Sequence, residues 1–250
     1  MGHAVFLATV TCTSLLLSSA VLAQPSQVTA VDPQSVAALR KMGTYLQSLK
    51  SFEVSTRLTA ERVLADGQKL QHGAEADLHV SRPDKIHATM TTATNERQII
   101  YDGKTVVLYA PAQKYYSSLA WSGSIGQLVT GLQQKYGVEL PLSDLFVWGT
   151  DAAPVDKLES AMNAGQGLVE GEVCDHYAFR EGQIDWQVWI ATGSKPLPRK
   201  IVITNRADEA RPQSVSLITW NLNTTKPASF FSFVPPKGSK KIEIVPLKTK

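Results

Sequence analysis

Apolar positions recur with two different periods along this chain, and the changes of period divide it into segments. In residues 33–50, Val36, Leu39, Met42, Gly43, Leu46 and Leu49 recur at steps of three and four, which predicts a helix. Asp32 supplies an N-cap and Pro33 a first helical residue. From Phe52 the period becomes two: Phe52, Val54, Thr56 and Leu58 alternate with Glu53, Ser55 and Arg57, as on a strand with one buried face. Further strands are predicted over 69–80, 85–92, 96–101, 105–109 and 114–119. Asp66-Gly67, Arg82-Pro83-Asp84, Thr94-Asn95, Asp102-Gly103 and Pro111-Ala112 mark the turns. Residues 124–136 return to helical spacing and close at Gly137, and 141–148 and 155–164 are expected to be two more short helices. Strands resume over 167–173, 176–180, 184–190, 199–204 and 214–222, with a short final piece near 230–234.

Strands joined by short turns form an antiparallel meander, and so many strands in one sheet curl rather than stay flat. The predicted hairpin over 184–204 carries apolar bulk on both faces: Ile184, Trp186, Val188 and Ile190 share one parity, and Trp189 takes the other. Such a sheet needs cover on both sides, or lends one face to a ligand. About 50 helical residues against this sheet leave a gap or groove on the covered face, and an apolar groove is the usual form of a ligand site.

Ahead of the first charged residue, Asp32, the stretch 4–23 is apolar or small and ends Val21-Leu22-Ala23. That is the pattern of a secretory signal, with cleavage expected after Ala23, residues 24–250 as one domain and a periplasmic location. Removal of the signal takes Cys12 with it and leaves Cys174 alone, so stability is expected from burial rather than cross-links. The formal net charge of +3 is too small to point to nucleic acid. Lys237, Lys240, Lys241, Lys248 and Lys250 make a modestly basic tail that reads as a solvated edge.

Candidate chemistry is sparse. Cys174 and His176 share a strand face, but neighbours at that spacing stand about 6–7 Å apart, too far for an imidazole to activate a thiol. His72, His79 and His87 fall on adjacent strands, with His79 and His87 able to face each other, yet two ligands without a third make no zinc site. Asp151, Asp156 and Glu159 read as helix caps and solvated first turns. No phosphate loop or nucleophile elbow appears, so neither catalytic residue, metal nor cofactor is expected. The aromatic set carries more weight: Trp186, Val188 and Trp189 as candidate cavity wall, Phe146 and Trp148 as candidate lid groups, and Tyr109 beside them. Parity allows only one of the two wall tryptophans to face the cavity, and favours Trp186.

Five motifs in this order, Tyr101-Asp102-Gly103-Lys104-Thr105, residues 174–180 (CDHYAFR), residues 185–190 (DWQVWI), Pro196-Leu197-Pro198-Arg199-Lys200 and residues 231–236 (FSFVPP), resemble a family of periplasmic proteins known as domain of unknown function 2092. That family is similar to the LolA/LolB lipoprotein carriers and the RseB envelope-stress regulator. The resemblance implies a mainly β fold with a helical lid: a strongly curved antiparallel sheet, a LolA-like half-barrel with helices covering the concave face. It also implies a non-enzymatic protein that binds a lipid, lipoprotein acyl chain or similar apolar ligand and acts in envelope transport. The alternative is an envelope regulatory or assembly module whose partner is another protein.

Overall fold

The computed structural model describes residues 30–247; the expected signal segment and its cleavage point lie outside them. Helix α1 (Pro33–Ser48) starts as its sequence predicts, with the Asp32 carboxylate accepting from the backbone N–H groups of Gln34 (3.1 Å) and Ser35 (3.0 Å). Six strands follow: β1 (Ser51–Val63), β2 (Lys69–Ser81), β3 (Lys85–Thr92), β4 (Glu96–Tyr101), β5 (Thr105–Ala110) and β6 (Tyr115–Ala120). Helix α2 (Ile125–Tyr136) is closed at its start by a capping box between Ser124 and Gln127, and at its end by Gly137 at φ 64°. After two short 3-10 turns come β7 (Ser160–Val169), β8 (Glu172–Glu181), β9 (Ile184–Ala191), β10 (Pro198–Asn205) and β11 (Gln213–Asn221), and finally β12 (Lys240–Lys241).

All twelve strands form one open, curved sheet in the order β12-β6-β5-β4-β3-β2-β1-β11-β10-β9-β8-β7. The chain meanders outward from β1 to β6, crosses through α2 and the 3-10 turns to the far edge, and meanders back from β7 to β11. Antiparallel pairing of β11 with β1, Val54 opposite Trp220 and Thr56 opposite Ile218, joins the two halves. Among the described residues, no helix is long and apolar enough to cross a membrane.

Alternation decides which face is buried. Phe52, Val54, Leu78, Val80, Ile86, Tyr101, Val106, Phe179, Val188 and Ile218 share one face, here called the inner face, and bury in one cluster with Leu39, Met42 and Leu46 of α1 and Ile125, Leu128 and Leu132 of α2. Helix α1 also meets the segment after α2 at unusually short range. A Cβ on Gly43 would lie 2.5 Å from the Gly149 nitrogen, and Gln47 donates to the Trp148 carbonyl at 2.7 Å.

Four predicted elements differ. Residues 167–173 are not one strand: β7 ends at Val169, the hairpin turns at Glu170-Gly171, and β8 begins at Glu172. Residues 155–164 are not a helix: only Val155–Lys157 makes a 3-10 turn, and Ser160–Val169 is strand β7. Ala161, Met162 and Ala164 favour a helix locally, but pairing with β8 (Ala161 opposite Phe179, Met162 opposite Ala178) overrides that weak preference. Within residues 141–148 only Ser143–Phe146 is helical, again as a 3-10 turn. Residues 230–234 are not a strand; a 3-10 turn at Ala228–Phe231 leads into an extended segment that ends in β12, parallel to β6.

Candidate apolar cavity

Three cross-strand rows on the inner face of β2–β6 build a gradient of burial. The first, Val80, Ile86, Tyr101 and Val106, is closed over, with no member more than 1 % exposed. The second, Ala88, Ile99, Leu108 and Ser117, lies in register beside it, and the third contains Met90, Arg97, Ala110 and Tyr115. Side chains of the second and third rows line a cavity of about 740 Å³. The void arises because Ala88, Ala110 and Ser117 are small where the neighbouring rows carry Ile and Leu.

The opposite wall is made by residues 137–141, just past α2. Gly137 takes a left-handed conformation and donates to the Gln133 carbonyl (3.0 Å), while Val138 donates to that of Leu132 (3.2 Å), so the helix stops there. Val138, Leu140 and Pro141 then run along the cavity rather than filling it. Residues 242–245 complete the wall; the Ser117 hydroxyl donates to the Ile242 carbonyl at 2.9 Å. The charged residues in the lining are Arg97, Glu139 and Glu243. Among the described residues Arg97 forms no ion pair.

The sequence-derived candidates are dispersed. Trp186, Val188 and Trp148 line a separate cavity of about 150 Å³ with Met42, Asp144, Leu145 and Ile201. There Trp186 is held between Phe179, stacked at 4.3 Å between ring centroids, and Trp148 at 5.3 Å. Asp144 is exposed, yet the protein atoms packed around its carboxyl desolvate it and raise its pKa, with Glu139 adding to the shift. Phe146 is fully buried, and the Arg82 guanidinium lies 5.7 Å from its ring centroid. Tyr109 borders the larger cavity and also packs on Phe233 at 5.1 Å. Trp189 is on the outer face, stacked on His176 at 3.9 Å with the Lys200 ammonium 4.5 Å from its centroid. Sequence reasoning missed Leu58, Met90, Ile99, Leu108, Val138 and Leu140 as lining residues. Their available signal was a run of small inner-face residues in β3, β5 and β6.

The polar candidates are not assembled for chemistry. Cys174 is fully buried, its Sγ 3.7 Å from the Glu172 carbonyl, and burial pushes its thiol pKa up. His176 instead donates from Nε2 to Gln187 Oε1 at 2.9 Å. His79 and His87 do face each other, but His72 has the opposite parity on β2. Burial lowers the His79 pKa. Among the described residues no three His, Cys, Asp or Glu side chains are grouped to hold a metal.

Residues 35–245 match the family described as predicted periplasmic protein, DUF2092. The chain belongs to this family. No curated protein matches it. Its fold is similar to several solved structures at low identity. LprF from Mycobacterium bovis is 11% identical, with a TM-score of 0.46 over 79% of this chain and 98% of that one. The lipoprotein LppX of Mycobacterium tuberculosis is 13% identical, with a TM-score of 0.41 over 78% and 98%. A LolA superfamily protein from Nitrosomonas europaea is 10% identical, with a TM-score of 0.37 over 80% and 97%.

Proposed function

We propose that this DUF2092 protein binds a lipid, a lipoprotein acyl chain or a similar apolar chain in the larger cavity, and serves envelope transport without catalysis. The observation that carries this reading is the cavity itself: its volume of about 740 Å³ falls within the range of small-molecule sites, and its walls are mostly aliphatic. Burial alone supplies the affinity. A chain of about 14 methylenes contributes about 11 kcal/mol when fully buried. An association cost of about 4 kcal/mol leaves a Kd near about 10 μM. Helix α2, the segment after it and residues 242–245 act as the cover that must part for the chain to enter. The smaller cavity around Trp148, Trp186 and Val188 is below the size of a typical ligand site and accepts no more than a chain end. Tyr109 borders the binding cavity, whereas Phe146 serves the core and Trp189 the outer face.

Native mass spectrometry of the purified protein and displacement of a fluorescent fatty-acid probe test the reading. Bound lipid or probe uptake is expected, with Ala110→Trp and Ala88→Phe each weakening uptake at least about tenfold by filling the void. Absence of both lipid and uptake refutes it. A second reading, a module that binds another envelope protein, is favoured by the outer edge of β7, where Met162 and Leu168 are exposed. A partner that stays bound to Ala110→Trp but is lost from Gln166→Pro would select that reading.

A further inference from the structure

The segment after β11 runs across the outer face, rounds the β6 edge and ends at the cavity. Phe230 packs against His79 (4.9 Å) and His87 (4.8 Å), and its carbonyl lies 3.1 Å from His87 Nδ1. Phe233 packs against Tyr109 (5.1 Å) and Tyr116 (5.2 Å). Lys240 and Lys241 then pair with Tyr115 and Tyr116 of β6, and the Leu247 N–H donates to the Lys135 carbonyl at 2.8 Å. Residues 242–245, between these two attachments, form the outer wall of the cavity.

A segment this well tied down would be expected to bury its apolar side chains. It does not: Ile242 is 48 % exposed, Val245 74 % and Leu247 57 %, and the neighbouring Tyr115 is 42 % exposed. Exposed lysines stand on the same stretch of chain or on residues bonded to it: Lys237, Lys240 and Lys241, Lys114, whose carbonyl accepts from the Lys240 N–H, and Lys135. Arg97 on the cavity lining adds to them, while Glu139 and Glu243 are the carboxylates of that lining and Asp102 borders a separate hollow of about 280 Å³ on the outer side of this edge, with Lys241, Tyr116 and Phe233. Lys241 borders an outer hollow beside Phe233, and the Lys135 ammonium lies 5.6 Å from the Trp121 ring centroid, so cations exceed carboxylates along the edge that carries this unburied apolar strip. A nucleic acid or another polyanion would use the charge and leave the strip in water. A bilayer of anionic lipids satisfies both, since interfacial segments bury apolar side chains below the headgroups while lysines meet the surface charge.

We infer that the β6 edge, formed by Tyr115, Ile242, Val245, Leu247 and the surrounding lysines, docks on an anionic membrane surface and brings the cavity mouth to the lipid. Docking gives the proposed cavity function its route of loading and rests on that reading only for its purpose, because the contact itself does not require an occupied cavity.

Co-sedimentation of the purified protein with vesicles of phosphatidylcholine, alone or mixed with phosphatidylglycerol, tests the inference. Binding is expected with the mixed vesicles and to weaken as salt rises. A lysine near such a surface contributes about fivefold, so Lys240→Gln combined with Lys241→Gln weakens binding about thirtyfold. Leu247→Glu, at an exposed position outside the cavity lining, also weakens it. Equal binding to both vesicle types, no binding to either, or no change in the double lysine variant overturns the inference. Loss on lysine neutralisation with Leu247→Glu unaffected also overturns it, and points to a soluble polyanion. Ala110→Trp separates the two ideas: docking persists in it while probe uptake is lost. A protein that docks but never takes up probe refutes the cavity function and leaves the docking surface standing.

Discussion

Substituting alanine for Gly43 sets two known effects against each other. In an exposed helix interior the change stabilises by about 1 kcal/mol, because glycine has the greater conformational freedom to lose. Here the added Cβ would lie 2.5 Å from the Gly149 nitrogen, 2.8 Å from its Cα and 2.9 Å from the Trp148 carbonyl carbon. Ordinary contact begins about 1 Å farther out. All three atoms are backbone, so no side-chain rotation relieves the clash, and α1 must move away from the segment that carries Trp148. Overpacking of this kind costs about 1–3 kcal/mol, and more where backbone meets backbone. Taking the upper part of that range, the net effect is a destabilisation of about 1–2 kcal/mol, or a Tm fall of about 2–8 °C for a chain of this size. The displacement also weakens the 2.7 Å bond from Gln47 to the Trp148 carbonyl, so Gly43→Ala and Gln47→Ala should combine less than additively. Urea and thermal unfolding of the two single variants and the double variant measure this. A Gly43→Ala protein more stable than the parent by about 1 kcal/mol, as for an exposed helix, refutes the close packing of α1 on residues 148–149.

Three further outcomes are expected. Asp144, an exposed residue whose carboxyl pKa is raised by desolvation and by Glu139, carries a small cost that is full above its folded pKa and vanishes as pH falls below the unfolded value; Asp144→Asn should therefore stabilise slightly near pH 7 and lose that advantage near pH 3, which pH-resolved urea unfolding would show. Asp185 behaves oppositely, its pKa being lowered first by the hydrogen bond from Arg180 (2.6 and 3.0 Å), so its contribution is present above about pH 4 and is lost as pH falls through the folded pKa. Because Arg180 and Asp185 are 42% and 29% exposed, Asp185→Asn should cost less than about 1 kcal/mol at neutral pH, and progressively less as pH falls through the folded pKa. The buried Cys174 thiol should react slowly with a disulfide reagent in the native protein and rapidly in urea; equal rates would contradict its burial.

Alternation alone distinguished the two hairpin tryptophans. A strand turns successive side chains to opposite faces whatever its partners, so parity put Trp186 with Val188 and Trp189 against them, and the structure has Trp186 on the inner face and Trp189 stacked on His176 outside. Local signals likewise marked α1, through Asp32 and Pro33, and α2, through its close at Gly137, because caps act over a few residues. The first half of the strand at Ser160–Val169 was hidden, since its alanines and Met162 favour a helix until β8 pairs with them, and only the part from Gly167 read as strand. The short helical cover already implied a groove, but its place was hidden for a related reason: a void is a property of what fails to meet across space. Ala88, Ala110 and Ser117 become a hollow only because three strands align them in adjacent rows and α2 ends at Gly137 above them. The basic tail likewise looked like a solvated edge when read as a line of residues. Its wrapping around β6, which sets the exposed Ile242, Val245 and Leu247 on the same edge as Lys240 and Lys241, depends on pairing between residues more than a hundred positions apart. The chain's own periodicity thus determined the elements and their faces, which are short-range matters of backbone geometry. Only the tertiary structure decided where space was left and what closes it, because packing is settled between elements that the sequence keeps far apart.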